Sequence, residues 1–209
     1  MYLSRLLLNP QHRQVQRELA DRYQLHRTLM RAFSETLPPE ERVLHRLEID
    51  PYSGHATLLV QSQTPPDWSH LIEKPHYLLA SPAVKSLNLA PDEGQKLFFR
   101  LRANPTIKTR SDRHPQKKTR VPLVHEEKQK AWLVRKGEQH GFRIIQQRVS
   151  NPETYRGSKN GGSPMKFFTV QFDGMLQVTN AEAFALAIAA GIGPAKSFGC
   201  GLLSIAPVR

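Results

Sequence analysis

The chain has 209 residues, enough for one large domain or two small ones, and 39% are hydrophobic, enough for a real core, which argues against wholesale disorder. Lysine and arginine number 30 against 18 acidic residues, a formal charge of +12 that favours phosphate-rich polyanions as partners. The lone cysteine, Cys200, excludes an internal disulfide framework, no run of about 18 apolar residues could span a bilayer, and no export signal stands out, so a cytoplasmic, nucleic-acid-binding protein is expected.

In chain order, Tyr2 to Leu8 reads as a buried strand ended by Asn9-Pro10. A polar helical pattern follows from Gln14 to Phe33, with Leu25, Leu29, Ala32 and Phe33 at the spacing of a core-facing stripe. Val43 to Ile49 and Ala56 to Gln63 predict two strands joined through Pro51-Tyr52-Ser53-Gly54, and Lys96 to Asn104 predicts a further strand after an ambiguous stretch. That order, with a weak helix before the last strand, is the order of a ferredoxin-like or RRM-like unit over residues 1–104. Residues 105–120 are basic and poor in large apolar side chains, and read as a mobile loop or linker. Beyond it come a short strand at Val121 to Val124, a helix from Glu126 to about His140 and a strand from Phe142 to Val149. Asn151 to Pro164 is a basic, Gly/Ser-rich connection; Met165 to Phe172 and Met175 to Thr179 read as a hairpin turning at Asp173-Gly174. A helix at Ala181 to Ala190 and a strand at Cys200 to Ala206 complete residues 121–209 as a second unit with the same order. The architecture expected is α+β, two tandem ferredoxin-like (RRM-like) domains.

The segment from Asp21 to Arg31 carries the chemistry. At about 100° per residue, a helix there sets Tyr23, His26, Arg27 and Arg31 on the arc beside the Leu25/Leu29/Phe33 stripe. An imidazole, a phenol and guanidiniums on one face suit attack of a ribose 2′-hydroxyl on its own phosphodiester. Histidine exchanges protons near neutrality, tyrosine donates or orients a hydrogen bond, and arginine offsets charge growing on phosphate. A lone histidine on a helix is more often a surface or core-edge residue, so this pattern by itself is weak. Other chemistries have less behind them: no H-E-x-x-H, no zinc spacing, no carboxylate cluster for two metals and no G-x-S-x-G elbow occur. Cys200, between Gly199 and Gly201, reads as a small packed residue. The glycine-rich run from Gly191 to Gly201 is neither a Walker A loop nor a dinucleotide fingerprint, because Ala195 and Lys196 stand where glycines are needed and the loop leads from helix to strand. It is either a phosphate-approaching loop with Lys196 beside it or a tight turn into the last strand.

Four stretches together resemble one family. They are Met1-Tyr2-Leu3-Ser4; Tyr23-x-x-His26-Arg27; Phe99-Arg100-Leu101-Arg102-Ala103-Asn104-Pro105; and the run Gly191-Ile192-Gly193-Pro194-Ala195-Lys196-Ser197-x-Gly199-x-Gly201-Leu202-Leu203-Ser204. They resemble the CasE family, the repeat-processing endoribonucleases of type I-E CRISPR systems, and the likeness runs through the chain in order. The resemblance implies two ferredoxin-like domains that bind the CRISPR repeat stem-loop and cut at the 3′ base of the stem without metal or cofactor. It implies a 2′,3′-cyclic phosphate and a 5′-hydroxyl as products, and retention of the mature crRNA within Cascade beside its other subunits. Within that pattern His26 stands at the catalytic histidine, Tyr23 at the assisting tyrosine, and Arg31 where a basic residue helps at the phosphate. Arg27, Lys108, Arg110, Arg113, Lys117, Lys118, Arg120, Arg156, Lys159, Lys166 and Lys196 are the expected RNA contacts, most of them in the two basic segments. The competing readings are a non-catalytic subunit that holds a stem-loop in a ribonucleoprotein and a general nucleic-acid chaperone.

Overall fold

The computed structural model describes residues 1–34, 37–38, 41–110, 118–157 and 165–208. In its first half, β1 (Tyr2–Leu8) leads to α1 (Arg13–Ala20), α2 (Arg22–Met30), β2 (Leu44–Ile49), β3 (Ala56–Ser62), α3 (Ser69–Ile72) and β4 (Ala83–Ser86). The sheet order is β2-β3-β1-β4, with every pair antiparallel. Alternation explains the inner face: Leu6 and Leu8 of β1 and Leu58 and Val60 of β3 are almost fully buried, against Leu25 and Leu29 of α2. Each such side chain contributes about 1.5–3 kcal/mol by leaving water.

The single helix expected over Gln14 to Phe33 is two helices. Asp21 breaks it, adopting an extended backbone (φ −123°, ψ 98°). Its N–H closes α1 by donating to the Arg17 carbonyl, and its carboxylate accepts from Tyr23 N at 2.9 Å to open α2. Aspartate is among the best residues for that cap, so the break is encoded locally, beneath a hydrophobic period that runs on through it.

In the second half, β5 (Lys96–Ala103), β6 (Thr106–Arg110), β7 (Lys118–Pro122), α4 (Glu126–Gln139), β8 (Phe142–Gly157), β9 (Met165–Val178), α5 (Ala181–Ala190) and β10 (Leu203–Pro207) follow. The second main sheet has the order β10-β5-β9-β8, so both sheets carry the 2-3-1-4 arrangement of a ferredoxin-like unit. Three expectations need correction. Lys96 to Asn104 does not close the first unit: β5 pairs with β9 and β10 and opens the second. Its buried Leu97, Phe99 and Leu101 complete a core with Trp132, Phe172 and Phe184, a choice of partner that a strand's own alternation does not reveal. Residues 105–120 are not a simple loop, because β6 and β7 pair as a two-stranded ribbon; the segment between them lies outside the described residues. Asp173-Gly174 is no turn but lies inside the continuous β9. Gly174 is needed there for closeness: a Cβ would stand 2.0 Å from the Gln146 carbonyl oxygen, beside the register shift between Ile144 and Gln146.

The two cores are joined by a polar seam. Arg46 of β2, 3% exposed, donates to the Leu202 carbonyl at 3.2 Å and pairs with Glu48 at 2.9 Å, while Gln61 of β3 donates to the Ile188 carbonyl at 2.8 Å. Gly191 caps α5 at φ +74° and abuts Leu44, whose methyl carbons would lie within 2.8 Å of any Cβ. The glycine-rich run is therefore the joint between the units. Among the described residues no helix is long and apolar enough to cross a membrane.

Candidate active site

The break at Asp21 lets α1 and α2 diverge around an open groove of about 860 Å³. Tyr23, His26, Arg27 and Arg31 of α2 line it, with Gln14 and Arg17 of α1 opposite and Ser197 at the end nearest the second unit. The Tyr23 and His26 rings lie 6.4 Å apart, both half-buried, while Arg17, Arg27 and Arg31 are exposed along the rim. The floor is held by Glu18, 2% exposed, whose carboxylate accepts from Gln14, from the Thr28 hydroxyl and from the Tyr77 hydroxyl. That carboxylate ties α1 to α2 and both to the segment before β4. A broken helix is thereby made into a fixed wall.

His26 presents its two ring nitrogens to different surroundings. Nδ1 is buried without a hydrogen-bond partner, so Nε2 is the nitrogen left on the groove side. Burial holds the His26 pKa below 6.5, which favours the neutral ring. Behind it lies His45 of β2, fully buried, its ring nearly parallel to that of His26 (16°) with centroids 6.0 Å apart. Burial, then the neighbouring His26 and Arg22, push the His45 pKa down to about 3, so His45 stays neutral. Arg22, at the first position of α2, turns away from the groove and stacks 4.8 Å from the Tyr155 ring centre, which Arg102 also approaches at 5.4 Å. Phe198 lies 6.1 Å from Tyr23 and 4.2 Å from Phe167 of β9, so the β8–β9 ribbon and the Lys196–Phe198 turn buttress α2.

Of the other sequence-derived candidates, Lys108 and Arg110 of β6 and Arg120 of β7 are exposed on the ribbon, with Lys108 opposite Arg120 in register. Lys118, Arg156 and Lys166 lie at strand ends with only their backbone described, and Arg113, Lys117 and Lys159 fall outside the described residues. Lys196 is half-buried and does not line the groove. Burial, then the neighbouring charges of Arg42 and Lys136, lower its pKa. Sequence reasoning missed Gln14, Arg17, Ser197 and His45. The first two were hidden by the unbroken helical period, and no local pattern marks the others. Cys200 is a packed residue, with burial pushing its thiol up to about 12. Among the described residues no group of three or more His, Cys, Asp or Glu side chains could hold a metal ion.

Two tandem ferredoxin-like units define an α+β class of fold, and residues 1–207 match the CRISPR associated protein family. The chain belongs to that family, in its CasE/Cse3 branch. It is 38% identical over 219 residues to the CRISPR-associated endoribonuclease Cse3 of Thermus thermophilus, covering 99% of this chain and 100% of the relative. It is 33% identical to the CRISPR system Cascade subunit CasE of Escherichia coli, over 100% of both chains. A solved structure of the CRISPR endoribonuclease Cse3 bound to a 19-nucleotide RNA superposes with a TM-score of 0.86 at 35% identity, covering 99% of this chain and 100% of that one.

Proposed function

We propose that the protein is a metal-independent endoribonuclease that binds the stem-loop of a CRISPR repeat and cuts at the 3′ base of the stem. The observation that carries this reading is the half-buried His26, flanked by Tyr23, on the wall of a groove rimmed by Arg17, Arg27 and Arg31. The neutral His26 ring takes the proton of the 2′-hydroxyl through Nε2. The 2′-oxygen attacks the adjacent phosphorus, the bond from phosphorus to the 5′-oxygen breaks, and the products are a 2′,3′-cyclic phosphate and a 5′-hydroxyl. Tyr23 offers its hydroxyl proton to the departing oxygen, and Arg31 offsets the charge gathering on the phosphate. His26 and Tyr23 are thus the catalytic pair.

The exposed cations of the β6–β7 ribbon, Lys108, Arg110 and Arg120, face outward as phosphate contacts for the stem. An A-form stem is recognised mainly through its backbone and shape, so such contacts give tight, salt-sensitive binding and slow release of the product. Retention of the cleaved RNA, single-turnover kinetics and residence in a cytoplasmic Cascade complex belong to this reading. The assembly has its support in the CasE relative, which is itself a Cascade subunit.

The test is cleavage of a labelled repeat RNA in EDTA by the parent protein and by His26→Ala. The parent is expected to cut at one position with a cyclic phosphate end, and the variant to bind without cutting. Equal rates in the two would remove His26 from the mechanism, and loss of parental activity in EDTA would remove metal independence. If the parent binds the hairpin but never cuts it, the protein is a stem-loop-holding subunit instead.

A further inference from the structure

The catalytic groove does not end at the scissile position. A second open groove of about 670 Å³ continues it along α2, sharing Arg27, Met30 and Arg31 and then reaching Phe33, Ser34 and Leu37. From Tyr23 to Phe33 this surface extends about 15 Å. Its chemistry changes along the way. Arg17 and Arg31 face the first stretch from opposite sides, and none of Arg17, Arg27 and Arg31 forms an ion pair among the described residues. Met30, between Arg27 and Arg31, and Leu37 beyond them are half-buried, an apolar shelf next to unpaired cations. Guanidiniums free of carboxylates followed by an apolar shelf suit a phosphate followed by an unstacked base.

Direction decides which strand. The groove begins at Ser197 of the second unit and leads away from it along α2 of the first unit. A stem docked on the second unit, as in the function proposed above and on which this inference rests, leaves one strand to follow the groove past His26. We propose that the surface formed by Arg17, Arg27, Met30 and Leu37 is a subsite for the unpaired strand on the 3′ side of the cut, with Arg17 and Arg27 on its first phosphate and the Met30/Leu37 shelf beneath a base. The cleaved product lacks that strand. The subsite therefore favours uncut RNA over cut RNA, and lets the leaving fragment go while the stem stays bound.

The experiment measures binding of a hairpin with a 2′-deoxy nucleotide just 5′ of the cut, ending either at the cut or three nucleotides beyond it. For the parent, the added nucleotides are expected to tighten binding about tenfold. In Arg17→Ala and Arg17→Glu, both changes at an exposed position of α1, that gain is expected to fall to about twofold or less, with Arg17→Lys retaining most of it. A parent that gains nothing from the extra nucleotides, or an Arg17→Glu variant that keeps the full gain, overturns the subsite. Failure of the parent to cut the all-ribose version of the same RNA would instead overturn the enzyme reading itself.

Discussion

The two units share a sheet order and differ in the helix that follows the first strand. In the second unit α4 runs unbroken for 14 residues and seats Trp132, 2% exposed, on Phe172 at 6.2 Å. In the first, the equivalent path is cut at Asp21 into helices of 8 and 9 residues, and the divergence opens the groove that holds Tyr23 and His26. One element is spent on packing and the other on a site. A ferredoxin-like sheet needs only an apolar stripe from its helix, so the remaining face of α2 was free to carry titratable and cationic groups.

Substitutions separate the two roles. Trp132→Ala should cost about 3–5 kcal/mol of stability, read as a lower urea midpoint, by leaving a cavity in the second core. A loss below 1 kcal/mol would mean that α4 is not the packing helix it looks to be. His45→Phe should act next most strongly, and through pH. His45 takes a proton in the unfolded chain near pH 6.5 but in the folded one only near 3, so the unfolded state binds more protons between those values and stability falls as pH falls through that window. The parent is expected to lose about 1.4 kcal/mol per pH unit from this group below about 6.5, and the phenylalanine variant to escape that part. Equal slopes in urea melts at pH 6.5 and 4.5 would contradict the assignment of a buried, neutral ring.

Tyr23→Phe should slow single-turnover cleavage about tenfold with little change in melting temperature, the reverse of the pattern at Trp132. Asp21→Ala should cost about 1 kcal/mol by removing the cap of α2 and should also slow cleavage, since the groove depends on the break. An unchanged rate would show that Asp21 only stabilises. The finest test concerns His26. Its lowered pKa predicts that the single-turnover rate at subsaturating protein, which reports the free protein, keeps its plateau below pH 6.5 and falls only as the ring gains its proton. An acid limb centred above 6.5 would place the proton-accepting step elsewhere.

Much of this was legible from the chain. The β2–β3 pair with its turn at Pro51 to Gly54, the α5 helix and the Tyr23/His26/Arg31 face stand where their residue patterns put them. Hydrophobic period, caps and turn residues act over a few positions, so a local reading recovers them. The misreadings at β5 and at Gly174 have one cause in common. An alternating strand pairs equally well with either sheet, and a glycine beside an aspartate serves a turn or a close crossing equally well, until the partner strand is known.

The residues themselves determined that a basic, two-unit α+β protein would carry an imidazole and a phenol on one helical face. Folding alone decided that Arg17 meets that face across a groove, that His45 lies buried behind His26, and that the glycine-rich run joins the units instead of opening freely to solvent. These are contacts between segments far apart in the chain, and their free energy comes from shape and burial that exist only once both cores have closed.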